Sequence, residues 1–122
     1  MGRYYKGDIE GKFMFGIQSS DDADFFGGYK DEPHYIEYSF FKEHIPVIKE
    51  VLKKCDRKLE GYTDKIKEIT KRGYTDEELE EGLGVSRDKV NLLLEWYARR
   101  RLGKQILKRV EETGECIFTA EI

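Results

Sequence analysis

Asp21, Asp22 and Asp24 crowd one short stretch of the chain, Arg99, Arg100 and Arg101 stand in a row further along, and between them lie the only two imidazoles, His34 and His44. Three carboxylates so close together could ligate a divalent cation. A calcium loop, however, needs oxygen ligands at fixed positions and a closing Glu, whereas Phe26 fills a ligand slot and Pro33 the closing one. No metal is therefore expected. The acids read instead as the first turn of a short helix capped by Ser19 or Ser20, where carboxylates complement the positive helix end. They also suit an acidic surface for a basic partner, with Phe25 and Phe26 either stapling the loop to the core or forming the apolar centre of that interface.

The usual catalytic signatures are missing. The sequence has no phosphate-binding GxxxxGK[ST], no GxSxG and no HExxH, and Gly82-Leu83-Gly84 falls between helices rather than after a strand, the wrong context for a dinucleotide. His34 and His44 sit at an expected strand edge and helix start, beside no nucleophile. The expectation is a binding protein without catalytic residues or cofactor.

Candidate binding residues concentrate late in the chain. Leu92, Trp96 and Arg99 lie at helical spacing, opposite Val90, Leu94 and Tyr97, so a helix with one buried side would turn them outward. Trp and Arg dominate interface energetics, which makes this face, with Arg100, a candidate partner surface. A helix buried all round would instead place Trp96 in the core. The three arginines cannot all be buried. They mark a charged surface, either solvated or contacting phosphate or acidic protein.

Leu79, Leu83, Gly84, Val85, Ser86, Val90 and Leu93 resemble the helix-turn-helix of DNA-binding proteins, over residues 75–94. The resemblance implies that Ser86, Arg87, Lys89 and Asn91 would face the major groove. Glu80 stands where that family packs a small residue, and Leu92 where a reading side chain belongs.

Around these residues the sequence predicts one α+β domain. The length of 122 residues suits a single core, and 39% charged residues are balanced by 39% hydrophobic ones, too apolar for a disordered chain. Net charge is −3, yet it is uneven: residues 1–40 carry four bases against eight acids, and residues 86–110 eight bases against two acids. Cys55 and Cys116, far apart and without metal-ligand spacing, read as core positions of a reduced, cytoplasmic protein. No run is long and apolar enough to span a membrane, and the first residues lack a secretory apolar segment.

The elements follow from periodicity. Ile45, Ile48, Leu52, Cys55, Leu59, Tyr62, Ile66 and Ile69 form a heptad seam, which predicts one continuous or kinked helix over about 43–72 despite Gly61, and offers a homodimer interface through 45–69. Glu68 and Arg72 would pair along it. Alternation predicts strands near 12–18, with Gly16 at a bulge, near 34–41 and near 115–122, the last pairing with an amino-terminal strand. Thr75 to Glu78 is a capping box opening a short helix over 76–83, and Ser86 caps a second long helix over 87–110. The apolar stripe of that helix changes direction near Gly103. The small antiparallel sheet is expected to pack on these helices.

The opening, GRYYKGDIEGKFMFGIQSSDDADFFG, resembles small uncharacterised proteins of the kind encoded by bacteriophages and prophages. That resemblance implies a non-enzymatic protein that binds a host factor, including inhibitors of bacterial immunity such as anti-CRISPR proteins. The expected function is occlusion of a host protein through the acidic loop (Asp21, Asp22, Asp24, Phe25, Phe26) or the Leu92, Trp96, Arg99 and Arg100 face. The alternatives are a helix-turn-helix regulator and a nucleotide-binding sponge using residues 99–101 and nearby tyrosines.

Overall fold

Alternate residues of Ile36–Phe41 (β4) and Glu115–Ala120 (β5) are apolar, and in a computed structural model of the protein these two strands form the centre of an antiparallel sheet. The structure describes residues 3–15, 17–31, 36–71 and 73–121. Tyr4–Gly7 (β1) and Gly11–Lys12 (β2) add to one side of this pair and Tyr29–Asp31 (β3) to the other, giving the order β2-β1-β5-β4-β3. Register places Phe40 opposite Cys116 and both Ile36 and Tyr5 opposite Ala120, so the central strands present one apolar face, while edge strand β3 sets Lys30 opposite Tyr38. Tyr38, Phe40, Cys116, Phe118 and Ala120 are buried there, while Glu37 and Glu115 face outward.

There are four α-helices among the described residues, Ile45–Lys58 (α1), Thr63–Thr70 (α2), Asp76–Leu83 (α3) and Arg87–Thr113 (α4), of which α1 and α4 cover that face while α2 and α3 pack on a second core beside it. The fold is α+β, as the patterning predicts. Heptad residues Ile48, Cys55, Leu59 and Ile66 all point inward and are fully buried. Their seam is filled by this chain's own α4, α3 and sheet, so these four residues are not open to a second copy; along 45–69 Val47 is the large apolar side chain left exposed.

The expected single helix over 43–72 is two helices. A turn over residues 59–62 separates them, with Gly61 at φ +82°, a left-handed conformation that ends an α-helix and that glycine adopts without steric cost. The heptad phase survives because α2 resumes with Ile66 facing the same core. Arg72, the expected partner of Glu68, lies outside the described residues.

The strand expected over 12–18 is also corrected. Only Lys12 belongs to a strand; after the buried Phe13 the chain turns, with the amides of Ile17 and Gln18 bonded to the carbonyl of Met14. Phe15 sits at φ +64° and Ile17 is exposed, so the alternation of aromatics does not mark a sheet face. Gly16 lies outside the described residues, as do His34 and Tyr35 of the strand expected over 34–41 and Ile122 of the one over 115–122. Strands β1 and β3 carry too few residues to show a period.

Helix α4 reaches Thr113, three residues past the expected 110. Its stripe changes direction because it serves two cores. Val90, Leu93, Leu94 and Trp96 pack among α1, α2 and α3, whereas Leu102, Ile106 and Val110 pack on the sheet and the first half of α1. At Gly103 the helix passes so close to the Phe26 ring that a Cβ there would lie 2.4 Å from it. Among the described residues no helix is long and apolar enough to cross a membrane.

Candidate functional site

Four of the nine residues expected to meet a partner, Asp22, Phe26, Trp96 and Arg99, are built into the fold. Asp22 and Arg99 are 2% and 3% exposed and bonded to each other, Arg99 Nε to Asp22 Oδ1 at 2.7 Å. Phe26 is core, and Trp96 is buried with Lys54 and Lys58 over its ring. The Arg99 guanidinium lies between two rings, 3.8 Å from the Phe25 centroid and 4.4 Å from that of Trp96. These residues form a seam between α4 and the 3₁₀ turn Asp22–Phe26. The outward-face expectation failed because α4 is buried on more than one side. The helical turn itself is present, but neither Ser19 nor Ser20 caps it: Ser20 Oγ accepts from Arg3 Nη1. Of the expected set, Asp21, Asp24, Phe25 and Leu92 are exposed and Arg100 is half-buried.

At the helix-turn-helix resemblance, α3 and α4 do meet at a corner around Gly84, and Ser86, Arg87, Lys89 and Asn91 are exposed. Arg87 is bound to Asp76 at 2.8 Å and to Glu80 at 3.2 Å. Asp76, Glu77, Glu78, Glu80 and Glu81 all lie on α3 beside it, a charge that opposes a phosphate backbone. His44 is a structural residue, its Nδ1 accepting from the Phe41 amide at 2.9 Å. Both thiols are buried and held protonated by burial, Cys55 pushed up to about 11 and Cys116 to about 12.

The chemistry that remains open to solvent gathers elsewhere. Between the amino-terminal hairpin, the end of α2 and the middle of α4 lies a groove of about 1150 Å³. Its wall carries Arg3 and Lys12 from the hairpin, Lys67 and Lys71 from α2 and the segment after it, and Arg101 from α4. Among the described residues lining it, Glu10 is the single carboxylate, and none of Lys12, Lys67, Lys71 or Arg101 makes an ion pair. Phe15 lines it, partly buried against the second core, 6.0 Å from the Tyr74 ring and 6.2 Å from the Tyr97 ring, both edge-on or tilted. Tyr5 lies deeper, bonded to Gln105, its hydroxyl pKa raised by burial against the nearby charge of Arg101.

No protein-family model, curated protein or solved structure matches the chain. The groove must therefore be read from its own chemistry.

A buried polar chain fixes the wall that carries Phe15. Gln18 accepts from the Met14 amide at 2.9 Å and donates to Asp22 Oδ2 at 2.9 Å, and Asp22 in turn holds Arg99 of α4. Arg3 reinforces the same turn through the carbonyl of Gln18 and stacks on Phe13. Asp22 and Arg99 thus position the groove rather than contact a ligand in it.

A second, smaller hollow of about 310 Å³ continues along α4, lined by Thr63, Arg100, Lys104 and Lys108 and sharing Lys67, Tyr97, Arg101 and Gln105 with the first. Arg101, Lys104 and Lys108 form a stripe on one face of α4 that the sequence spacing already displays. Lys67 and Lys71, one turn apart, and the distant Arg3 and Lys12 carry no local signal; only the fold brings them together.

Proposed function

We propose that the protein is a non-enzymatic binding protein that sequesters a nucleotide-type ligand, an anion carrying a flat ring, in this groove. The observation that supports this reading is the convergence of Lys67 and Arg101, both free of acid partners among the described residues, with the ring cluster of Phe15, Tyr74 and Tyr97. Cations attract and bond phosphate, while aromatic faces stack on a base and accept it with little regard to its identity. Among the described lining residues are cations, rings, amides, the Thr70 hydroxyl and one carboxylate, Glu10. Of the functions weighed from the sequence, this is the sponge, with Arg101 rather than Arg99 as its central cation.

Calorimetric titration with ATP at low salt tests it. The protein should bind, and Lys67→Ala with Arg101→Ala should weaken binding by about 100-fold, on the order of 1.5 kcal/mol per charge-assisted bond. An absence of binding, or a double variant that binds as tightly, overturns the proposal.

Host-protein occlusion keeps one supporting observation. Phe25 and Leu92 are large, apolar and each 45% exposed, and both adjoin Trp96, by ring contact and by one helical turn respectively. Phe25→Ser with Leu92→Asp should release any bacterial protein that the wild type captures; retention by the double variant removes this surface from consideration.

A further inference from the structure

The groove is larger and longer than one nucleotide needs. Pockets of roughly 300–1,000 Å³ enclose most small ligands, and here about 1150 Å³ opens into a further 310 Å³. The two hollows share Lys67, Tyr97, Arg101 and Gln105, so they adjoin across these side chains and extend in different directions from them. One end holds the rings of Phe15 and Tyr74. The other holds Lys104 and Lys108 and no carboxylate among its described lining residues.

The cations also form a track rather than a cluster. From Arg101 to Lys108 the α4 stripe extends about 10 Å at 1.5 Å per residue. Lys67 lines the same hollow, and Lys71, about 6 Å further on by the same measure, lines the larger groove. A single triphosphate concentrates its charge at one point and would leave part of such a track unused. Successive phosphodiesters separated by sugars would use all of it. The rings decide the strandedness, because Phe15, Tyr74 and Tyr97 can stack only on bases that are not already stacked and paired within a duplex.

Resting on the nucleotide reading above, we infer that the ligand is a short single-stranded oligonucleotide, its bases on the Phe15, Tyr74 and Tyr97 rings and its phosphates running along Arg101, Lys104 and Lys108. Phe15 is the hub of the arrangement. A bulky residue at φ +64° is an uncommon conformation, and such backbone clusters where a side chain must be held in place for a task.

The test is a fluorescence-anisotropy competition on the full chain, with ATP and oligothymidylates and oligouridylates of two, four and eight nucleotides, single-stranded and as duplexes. Affinity should rise at least tenfold from ATP to the tetranucleotide and then level off, with duplexes weaker than single strands. With about three to five phosphates neutralised, log affinity should fall against log salt with a slope of about −2 to −3.5. Lys104→Ala with Lys108→Ala should cost the tetranucleotide about tenfold and weaken it more than it weakens ATP. Phe15→Gly should keep its circular dichroism, since glycine adopts this φ freely, yet lose oligonucleotide affinity at least tenfold.

Equal affinity for ATP and the tetranucleotide, or preference for the duplex, overturns the inference and leaves the nucleotide reading standing. Wild-type oligonucleotide binding by Phe15→Gly overturns it as well. Failure of ATP and every oligonucleotide to bind overturns both. The thymidylate and uridylate arms separate a DNA strand from an RNA strand.

Discussion

Arg99 and Arg101 are two residues apart on one helix and have opposite fates. At 100° per residue they point about 200° apart, to opposite sides of α4. Arg99 turns into the seam with the 3₁₀ turn, where Asp22 neutralises it and Phe25 and Trp96 enclose it. Arg101 turns into the groove, exposed, with Met14 Sδ at 4.0 Å as its bonding contact. A charge that is paired, buried and enclosed fixes geometry; one left open beside a concave wall is available to a ligand. The run of arginines read from sequence is thus two devices, and the buried one holds the wall against which the open one works.

The sharpest way to break this comparison is at Asp22. Asp22→Ala strands the Arg99 charge in the seam, with the half-exposed Glu95 at 3.0 Å as its remaining partner, and should cost about 3 kcal/mol of stability in urea unfolding. Replacing both residues, Asp22→Leu with Arg99→Met, should recover most of that loss, because the pair's attraction roughly offsets its desolvation. The pH dependence points the same way. Burial raises the Asp22 pKa above the ordinary carboxylate range, despite the bonds from Gln18 and Arg99. A carboxyl whose folded pKa is raised favours the folded state below its unfolded pKa, and that contribution is lost as pH rises through the folded value. At neutral pH the pair therefore positions more than it stabilises. A single variant as stable as the wild type would mean that Asp22 does not hold Arg99.

Signals that reflect a buried face or a cap survive into the structure, whatever their length. The heptad seam and the alternation of β4 and β5 each mark a buried face, the redirected stripe of α4 marks two, and the Thr75 side chain accepts from the Glu78 amide as its cap requires. The break at Gly61 was hidden because the two helices it separates keep one phase. Phe13, Phe15 and Ile17 alternate as a strand would, but a turn at Met14 decides the backbone there. For the site, Leu92, Trp96 and Arg99 were misplaced by assuming one buried side for a helix that has several. The groove was half legible: Arg101, Lys104 and Lys108 form a visible stripe. Lys67, Lys71, Tyr74, Arg3 and Lys12 join them only through packing that no local pattern encodes.

Arg100 lies between the two cases and sharpens the comparison with a smaller effect. It is half-buried and bonds Asp56 across from α1 at 2.7 Å, but Asp56 is largely exposed, so water screens the pair. Such a bridge contributes about 0.2–1 kcal/mol. Arg101→Ala, which removes no ion pair, should change stability by less than about 0.5 kcal/mol. Urea unfolding of Asp22→Ala, Arg100→Ala and Arg101→Ala should rank their stability losses in that order. Binding should rank Arg100→Ala and Arg101→Ala the other way, because Arg101 lines both hollows and Arg100 only the smaller. If Arg101→Ala proves as destabilising as Asp22→Ala, the groove is closed by its own cation, and the division of labour along α4 fails.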